Sequence, residues 1–215
     1  MFPEWVQARA RRVAEGIVTP LARLGVTPNI ITVVGFLLNC VTAGVLASGH
    51  LSIGGGLLFF SGMFDMLDGA LARVLSQQSD FGAFLDSILD RYSEAAILLA
   101  LIYQFSMATP ARPVPVLLVY AVAIGSLVIS YARARAEGLG LEAKIGIAPR
   151  PERVLILGLG LLFNATTTIF ALVVLTFITH FTAMQRLYAV WRQTRVKATT
   201  EPKPSRVKAP ETGAT

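Results

Sequence analysis

Charge is what this 215-residue sequence has least of. Asp, Glu, Lys and Arg make up 15% of it, against about 25% in a soluble globular domain. That shortage excludes a disordered chain and a nucleic-acid-wrapping chain, both of which need the opposite balance. Cysteine is nearly missing, and Cys40 alone excludes an internal disulfide and a cysteine-held metal cluster. What is present is apolar: 54% of the residues are hydrophobic, and the mean hydropathy is +0.62. A soluble fold of this size has too little interior to hide so much apolar surface. The composition therefore points to an integral membrane protein.

The few charges divide the chain into spans. Leu24–Phe64 carries no charge over 41 residues, which is two helical crossings at about 20 residues each, with Gly49-His50 as the turn between them. The later uncharged runs are Ala95–Ala111, Pro113–Ala132 and Val154–Gln185, the last divided at Phe163-Asn164-Ala165. These runs predict an all-α integral membrane protein with six transmembrane helices, over about 28–48, 52–74, 82–106, 113–134, 152–163 and 166–189. Six crossings put both termini on one side. That side then receives 18 of the 19 Lys and Arg residues, and the other side receives only Arg112. By the positive-inside rule the rich side is cytoplasmic, which places the protein in the cell membrane as a multi-pass protein with cytoplasmic termini.

The ends differ from the middle. In residues 1–20, Val6, Ala10, Val13 and Ile17 recur at helical spacing among arginines, which predicts an interfacial amphipathic helix. Residues 194–215, rich in Pro, Thr and Lys, predict a disordered cytoplasmic tail. Residues 21–193 form the single membrane domain between them.

Within that domain Asp65, Asp68, Asp86 and Asp90 stand at the ends of adjacent apolar segments. Carboxylates near hydrocarbon are costly, so they mark function. Asp65 and Asp68 are spaced i,i+3, and Asp86 and Asp90 i,i+4, so each pair shares a helical face. A polar turn over 75–80 folds the two faces together at the cytoplasmic mouth, where Asp80 serves as a cap or meets solvent. Four clustered carboxylates repel unless cations neutralise them. An oxygen-only set with neither cysteine nor histidine nearby favours Mg²⁺, or Mn²⁺, over zinc, and two such ions could clamp a pyrophosphate. Gly69 and Gly82 let a ligand approach the backbone, and Arg73 offers a rigid donor fork to phosphate. A proton-relay transporter is the alternative from another class.

The stretch from Asp65 to Asp90 reads D-M-L-D-G-A-L-A-R, eight residues, then G-A-F-L-D-S-I-L-D. It resembles the CDP-alcohol phosphatidyltransferase signature, D-G-x2-A-R-x8-G-x3-D-x3-D with an aspartate three before the first, at every fixed position. The upstream L-G-V-T-P-N-I-I-T resembles the family's entry into its first span. The resemblance implies transfer of a phosphatidyl group from CDP-diacylglycerol to an alcohol with release of CMP. It assigns Asp65, Asp68, Asp86 and Asp90 to the metal ions and Asp90 to the role of general base. It sets Asp68, Gly69, Ala72, Arg73 and Gly82 against the cytidine diphosphate, with Pro28 and Thr32 bordering the base. It also implies a homodimer.

Arg133, Arg135, Arg150 and Arg153 gather around the second cytoplasmic loop, and four cations there imply an acceptor carrying its own phosphate. S-Y-A-R-A-R-A-E from Ser130, and R-P-E-R from Arg150, are most similar to prokaryotic phosphatidylinositol phosphate synthases, with Arg133 in place of the usual lysine. That similarity implies that Ser130, Arg133, Arg135 and Arg153 hold myo-inositol 1-phosphate. Glycerol 3-phosphate, or an archaeal-type lipid equivalent of the reaction, is the alternative.

Overall fold

The computed structural model describes Gly16, Val18, Pro20, residues 22–75 and residues 79–200, without the side chains of Met66, Asp68 and residues 196–200. Six helices follow one another: α1 Pro28–Ala47, α2 Leu51–Val74, α3 Asp80–Met107, α4 Pro113–Gly138, α5 Arg150–Phe163 and α6 Ala165–Thr200. The interfacial helix expected over 1–20 lies outside the described residues apart from Gly16, Val18 and Pro20, which are helical. Of the expected tail, residues 201–215 lie outside them as well.

Local chemistry sets the helix ends. Thr27 caps α1, its hydroxyl accepting from the Ile30 N–H at 3.4 Å, with Pro28 in the first turn where its missing N–H costs nothing. Gly49 makes the α1–α2 turn at φ +92°, a conformation that other residues resist. Ser79 caps α3 by accepting from the Gly82 N–H at 3.0 Å. Between α5 and α6 the backbone of Asn164 is extended. Its side-chain oxygen accepts from the Thr167 N–H at 3.0 Å, which restarts the helix.

Two helices outrun their expected spans. α4 continues past residue 134 to Gly138, and α6 continues past residue 189 to Thr200. So α6 runs beyond residue 194, where the tail was expected to begin. The overhang has tertiary work: Gln193 binds both the N–H and the carbonyl of Glu142, extending the contacts that Thr182, Gln185 and Arg186 make with the 139–149 loop. Arg195 also stacks over the Trp191 ring at 4.4 Å.

The helices close into a ring. α1 packs on α2 and α3, α2 on α5, α5 on α6, α6 on α4, and α4 on α3. Small residues set the closest approach: a methyl group on Gly55 of α2 would come within 2.9 Å of the Leu161 side chain on α5. The main core joins Leu46, Leu58, Leu101, Leu157, Leu172 and Leu175. A smaller cluster of Val18, Ile31, Leu67, Ala70 and Leu71 underlies the motif.

The surface is inverted relative to a soluble protein. Leu37, Val41, Leu99, Leu117, Phe170 and Phe177 face outward, whereas Thr42, Ser61, Thr168 and Thr179 are buried. Those four hydroxyls donate to the carbonyls four residues back, three within their own helices and that of Thr168 to Asn164 just before α6, which satisfies them inside the bundle. Among the described residues α1, α4 and α6 are each long and apolar enough to cross a membrane. α2 and α3 carry the carboxylates, and α5, with 14 residues, rises only about 21 Å. Among the described residues all regular structure is helical, and three of the helices have the length and composition to span a membrane.

Candidate active site

The end of α2 and the start of α3 point the same way, and the start of α1 lies beside both. Between them opens a cleft of about 320 Å³. Its walls include Pro28 and Thr32 from α1, Gly69, Ala72 and Arg73 from α2, and Gly82 and Asp86 from α3. Six of the seven residues expected to bind the CDP-lipid therefore share one cavity with one of the expected metal ligands. The seventh, Asp68, has its side chain outside the described residues. Asn29, Ser79 and Ala83 also line the cleft, and sequence reasoning did not single them out. A methyl group on Gly82 would come within 3.0 Å of both Asn29 Oδ1 and Ser79 Oγ, so glycine keeps this wall thin.

Asp90 follows Asp86 by one turn of α3. A guanidinium from α5 joins it to Asp65 of α2: Arg150 Nη1 lies 2.8 Å from Asp65 Oδ2 and 2.6 Å from Asp90 Oδ1. One nitrogen touches both carboxylates, so a single cation can reach both. The other oxygen of Asp65 is tucked against α1, where a methyl group on Gly35 would come within 2.9 Å of it. Among the described residues no group of three or more His, Cys, Asp or Glu forms a ready metal cage. Even so, the donor set suits a hard divalent ion. It is all carboxylate, converges from two helices, and is already shown here to share a cation. Asp80 is exposed in the first turn of α3, and Ser79 is the cap of that helix.

Deeper in the bundle α5 makes a second ion pair. Arg153 Nε and Nη2 donate to the two carboxylate oxygens of Glu94 at 3.0 and 2.9 Å, and Nη1 donates to the Ala148 carbonyl at 3.0 Å. Arg153, 5% exposed, thus binds the protein through each of its three nitrogens and keeps two of its five N–H donors for other partners. Arg133 is exposed on the last turns of α4 and pairs with Glu137 of the same helix at 2.9 Å. Arg135 is exposed, and Ser130 is half-buried. The four residues expected to hold the acceptor therefore split, with Arg153 inside the bundle and the α4 arginines on its rim. Arg186 is buried and donates to the Ile145 and Ile129 carbonyls, which fixes the loop that leads into α5.

Sequence reasoning missed Glu94 and the pairing of Arg150. A signal existed: Asp90 and Glu94 are spaced i,i+4 on α3 and Arg150 and Arg153 i,i+3 on α5, so two acids and two bases each share a face.

Comparison with known proteins places this geometry. The family model for CDP-alcohol phosphatidyltransferase matches residues 25–193. An archaetidylinositol phosphate synthase of Methanothermobacter thermautotrophicus is 38% identical over 85% of this chain and 93% of its own length. The phosphatidylinositol phosphate synthase of Mycobacterium tuberculosis is 34% identical over 88% and 91%. A crystal structure of that mycobacterial enzyme with CDP-DAG bound superposes with a TM-score of 0.78 at 33% identity, covering 84% of this chain and 94% of the other. A second, in complex with manganese and citrate, gives a TM-score of 0.77 over 83% and 88%. These matches leave no place for the transporter alternative. The chain is an enzyme and belongs to the CDP-alcohol phosphatidyltransferase family.

Proposed function

We propose that the protein transfers the phosphatidyl group of CDP-diacylglycerol to myo-inositol 1-phosphate, releasing CMP and forming phosphatidylinositol phosphate. The observation that carries this reading is the single cleft that gathers the G-x2-A-R segment, Gly82 and Asp86 beside the Asp65–Arg150–Asp90 bridge. The relatives differ in the lipid half of their names and share inositol phosphate, which supports that acceptor over glycerol 3-phosphate.

In this reading the nucleotide lies in the α1–α2–α3 cleft. Pro28 and Thr32 border the base. Gly69, Ala72 and Gly82 admit the diphosphate to the backbone, and Arg73 binds it with a group that cannot lose its proton. Asp65, Asp68, Asp86 and Asp90 would hold divalent cations, Mg²⁺ or Mn²⁺, as a pair of ions. When bound, these supply positive charge against the diphosphate and the departing CMP. Asp90 takes the proton of the acceptor hydroxyl as that oxygen forms its bond to the lipid-bearing phosphorus. The bond from that phosphorus to the bridging oxygen breaks, and CMP carries the electron pair away. Ser130, Arg133, Arg135 and Arg153 recognise the acceptor's phosphate, Arg153 from its seat on Glu94.

The membrane arrangement belongs to the same reading. All six helices lie across the bilayer, with the cleft and both termini on the cytoplasmic face. The one-sided distribution of Lys and Arg supports this orientation. The exposed apolar faces leave room for a homodimer in the plane of the membrane.

The test is CMP release by the purified protein with CDP-diacylglycerol and Mg²⁺, comparing inositol 1-phosphate, glycerol 3-phosphate, inositol and serine. Release with inositol 1-phosphate supports the reading. Release with glycerol 3-phosphate alone overturns the acceptor and keeps the chemistry.

A further inference from the structure

The two arginines that open α5 sit one turn apart and meet carboxylates one turn apart on α3, yet they are held differently. Arg153 uses all three of its nitrogens: two grip both oxygens of Glu94, and the third binds a carbonyl. That two-pronged grip fixes orientation as well as charge. Arg150 makes both of its ion pairs through the single atom Nη1, wedged between Asp65 and Asp90. Its Nε is buried with no hydrogen-bond partner. A guanidinium used at one corner, with another donor buried and unpaired, is held mainly by charge and lacks the directional lock that Arg153 has. Charge is also the property in which a divalent cation exceeds it. Arg150 touches Oδ2 of Asp65 and Oδ1 of Asp90, and an ion shared by those two carboxylates would compete for those oxygens.

We propose that Arg150 is a positioning residue that holds Asp65 and Asp90 by the oxygens through which they bind a divalent cation, so that the cation loads by displacing the guanidinium. The inference rests on the phosphatidyltransferase reading and deepens it. Before loading, the single positive charge cancels the repulsion between two carboxylates brought together from α2 and α3. On loading, Asp65 and Asp90 exchange one cation for another and keep their relative placement. The Arg153–Glu94 pair meanwhile keeps α5 seated, so the displaced side chain moves and the helix does not. Arg150 therefore weakens metal binding relative to what the same aspartates would give alone, and in return keeps them assembled.

The experiment measures Mn²⁺ binding to the full-length protein in detergent, by the electron paramagnetic resonance signal of free Mn²⁺. Wild type, Arg150→Gln, Arg150→Lys and Asp65→Asn are compared, with thermal unfolding recorded in EDTA and in Mn²⁺. Removing a full positive charge beside the site should tighten Mn²⁺ binding by about tenfold in Arg150→Gln. The same variant should unfold at a lower temperature than wild type in EDTA and gain more from Mn²⁺ than wild type does, a pattern that a purely structural arginine would not give. Arg150→Lys keeps the charge and loses the fork, and should fall between the two. Mn²⁺ affinity in Arg150→Gln equal to or weaker than wild type overturns the proposal. Should Arg150→Gln fail to fold, Arg150→Lys decides on the same criterion: tighter binding than wild type supports the proposal, and equal or weaker binding overturns it. CMP release by the wild type and its loss in Asp65→Asn test the underlying reading separately. An active enzyme with unchanged Mn²⁺ affinity in the variants sinks the role of Arg150 and leaves the reaction standing, whereas wild-type Mn²⁺ binding that survives Asp65→Asn overturns both.

Discussion

The two ends of the bundle are built from different materials. At one end Pro28, Gly69, Arg73, Gly82 and Asp86 surround an open cleft, and charged side chains from α2, α3 and α5 meet beside it. Toward the other end Leu46, Leu101, Leu161 and Leu172 fill the space completely, each with no exposed surface. The cleft end forgoes packing in order to hold charges and a ligand, and the leucine end supplies the rigidity that lets it do so. Between them lies the Glu94–Arg153 pair, buried like the core and charged like the site.

The contrast can be broken from either side. The largest effect is expected at the cleft. Asp90→Asn keeps the shape and removes the base, and phosphatidyl transfer should fall by about a thousandfold or more while CDP-lipid binding, followed by equilibrium binding of the labelled nucleotide lipid, persists. Turnover near wild type would show that Asp90 is not the base. The middle layer should respond in both currencies. Glu94→Gln strips the partner from a buried guanidinium and should lower stability by about 3 kcal/mol, read from chemical denaturation in detergent, together with a raised KM for the acceptor. A raised KM without lost stability would move Glu94 from the framework into the site proper. In the core, Leu101→Ala should cost about 2 kcal/mol through the void it leaves, with kcat at low temperature unchanged. A fall in kcat there would mean that the two ends are coupled more tightly than their composition suggests. The smallest effect is expected from Thr27→Ala, which removes the α1 cap beside the cleft. It should cost about 0.5 kcal/mol, seen as a slight rise in the KM for the CDP-lipid.

Much of this arrangement was legible because its signals are local. The uncharged Leu24–Phe64 run and its Gly49 turn became α1 and α2, and Asn164 divides α5 from α6 where the long final run was split. The signature residues lie within a short stretch of chain on two consecutive helices, so spacing alone placed them near one another. The Arg150 bridge and the Arg153–Glu94 pair were not legible in the same way. Glu94 and Arg153 are 59 residues apart, and α2 meets α5 although two helices separate them in the chain. Periodicity says which face a residue occupies and is silent on which helix that face meets. The overruns of α4 and α6 escaped for a related reason: the charges that end a hydrophobic run do not end a helix when they find partners, as Arg133 does in Glu137 and Arg186 does in the Ile129 and Ile145 carbonyls.

The ring order also has a consequence for biogenesis. A ribosome delivers this chain from its N-terminus, so α1, α2 and α3, with the whole nucleotide cleft, are made before any of α5. Glu94 is polymerised 59 residues ahead of the arginine that neutralises it, and Asp65 and Asp90 precede Arg150 in the same way. Until α5 arrives, the nascent four-helix intermediate carries those acids without the arginines that pair with them, and bare carboxylates are costly in lipid. The arrival of α5 against α2, ahead of α6, is then what supplies the acidic face of α3 with its cations. A quality-control machinery that recognises unpaired charge within the bilayer would read its absence directly.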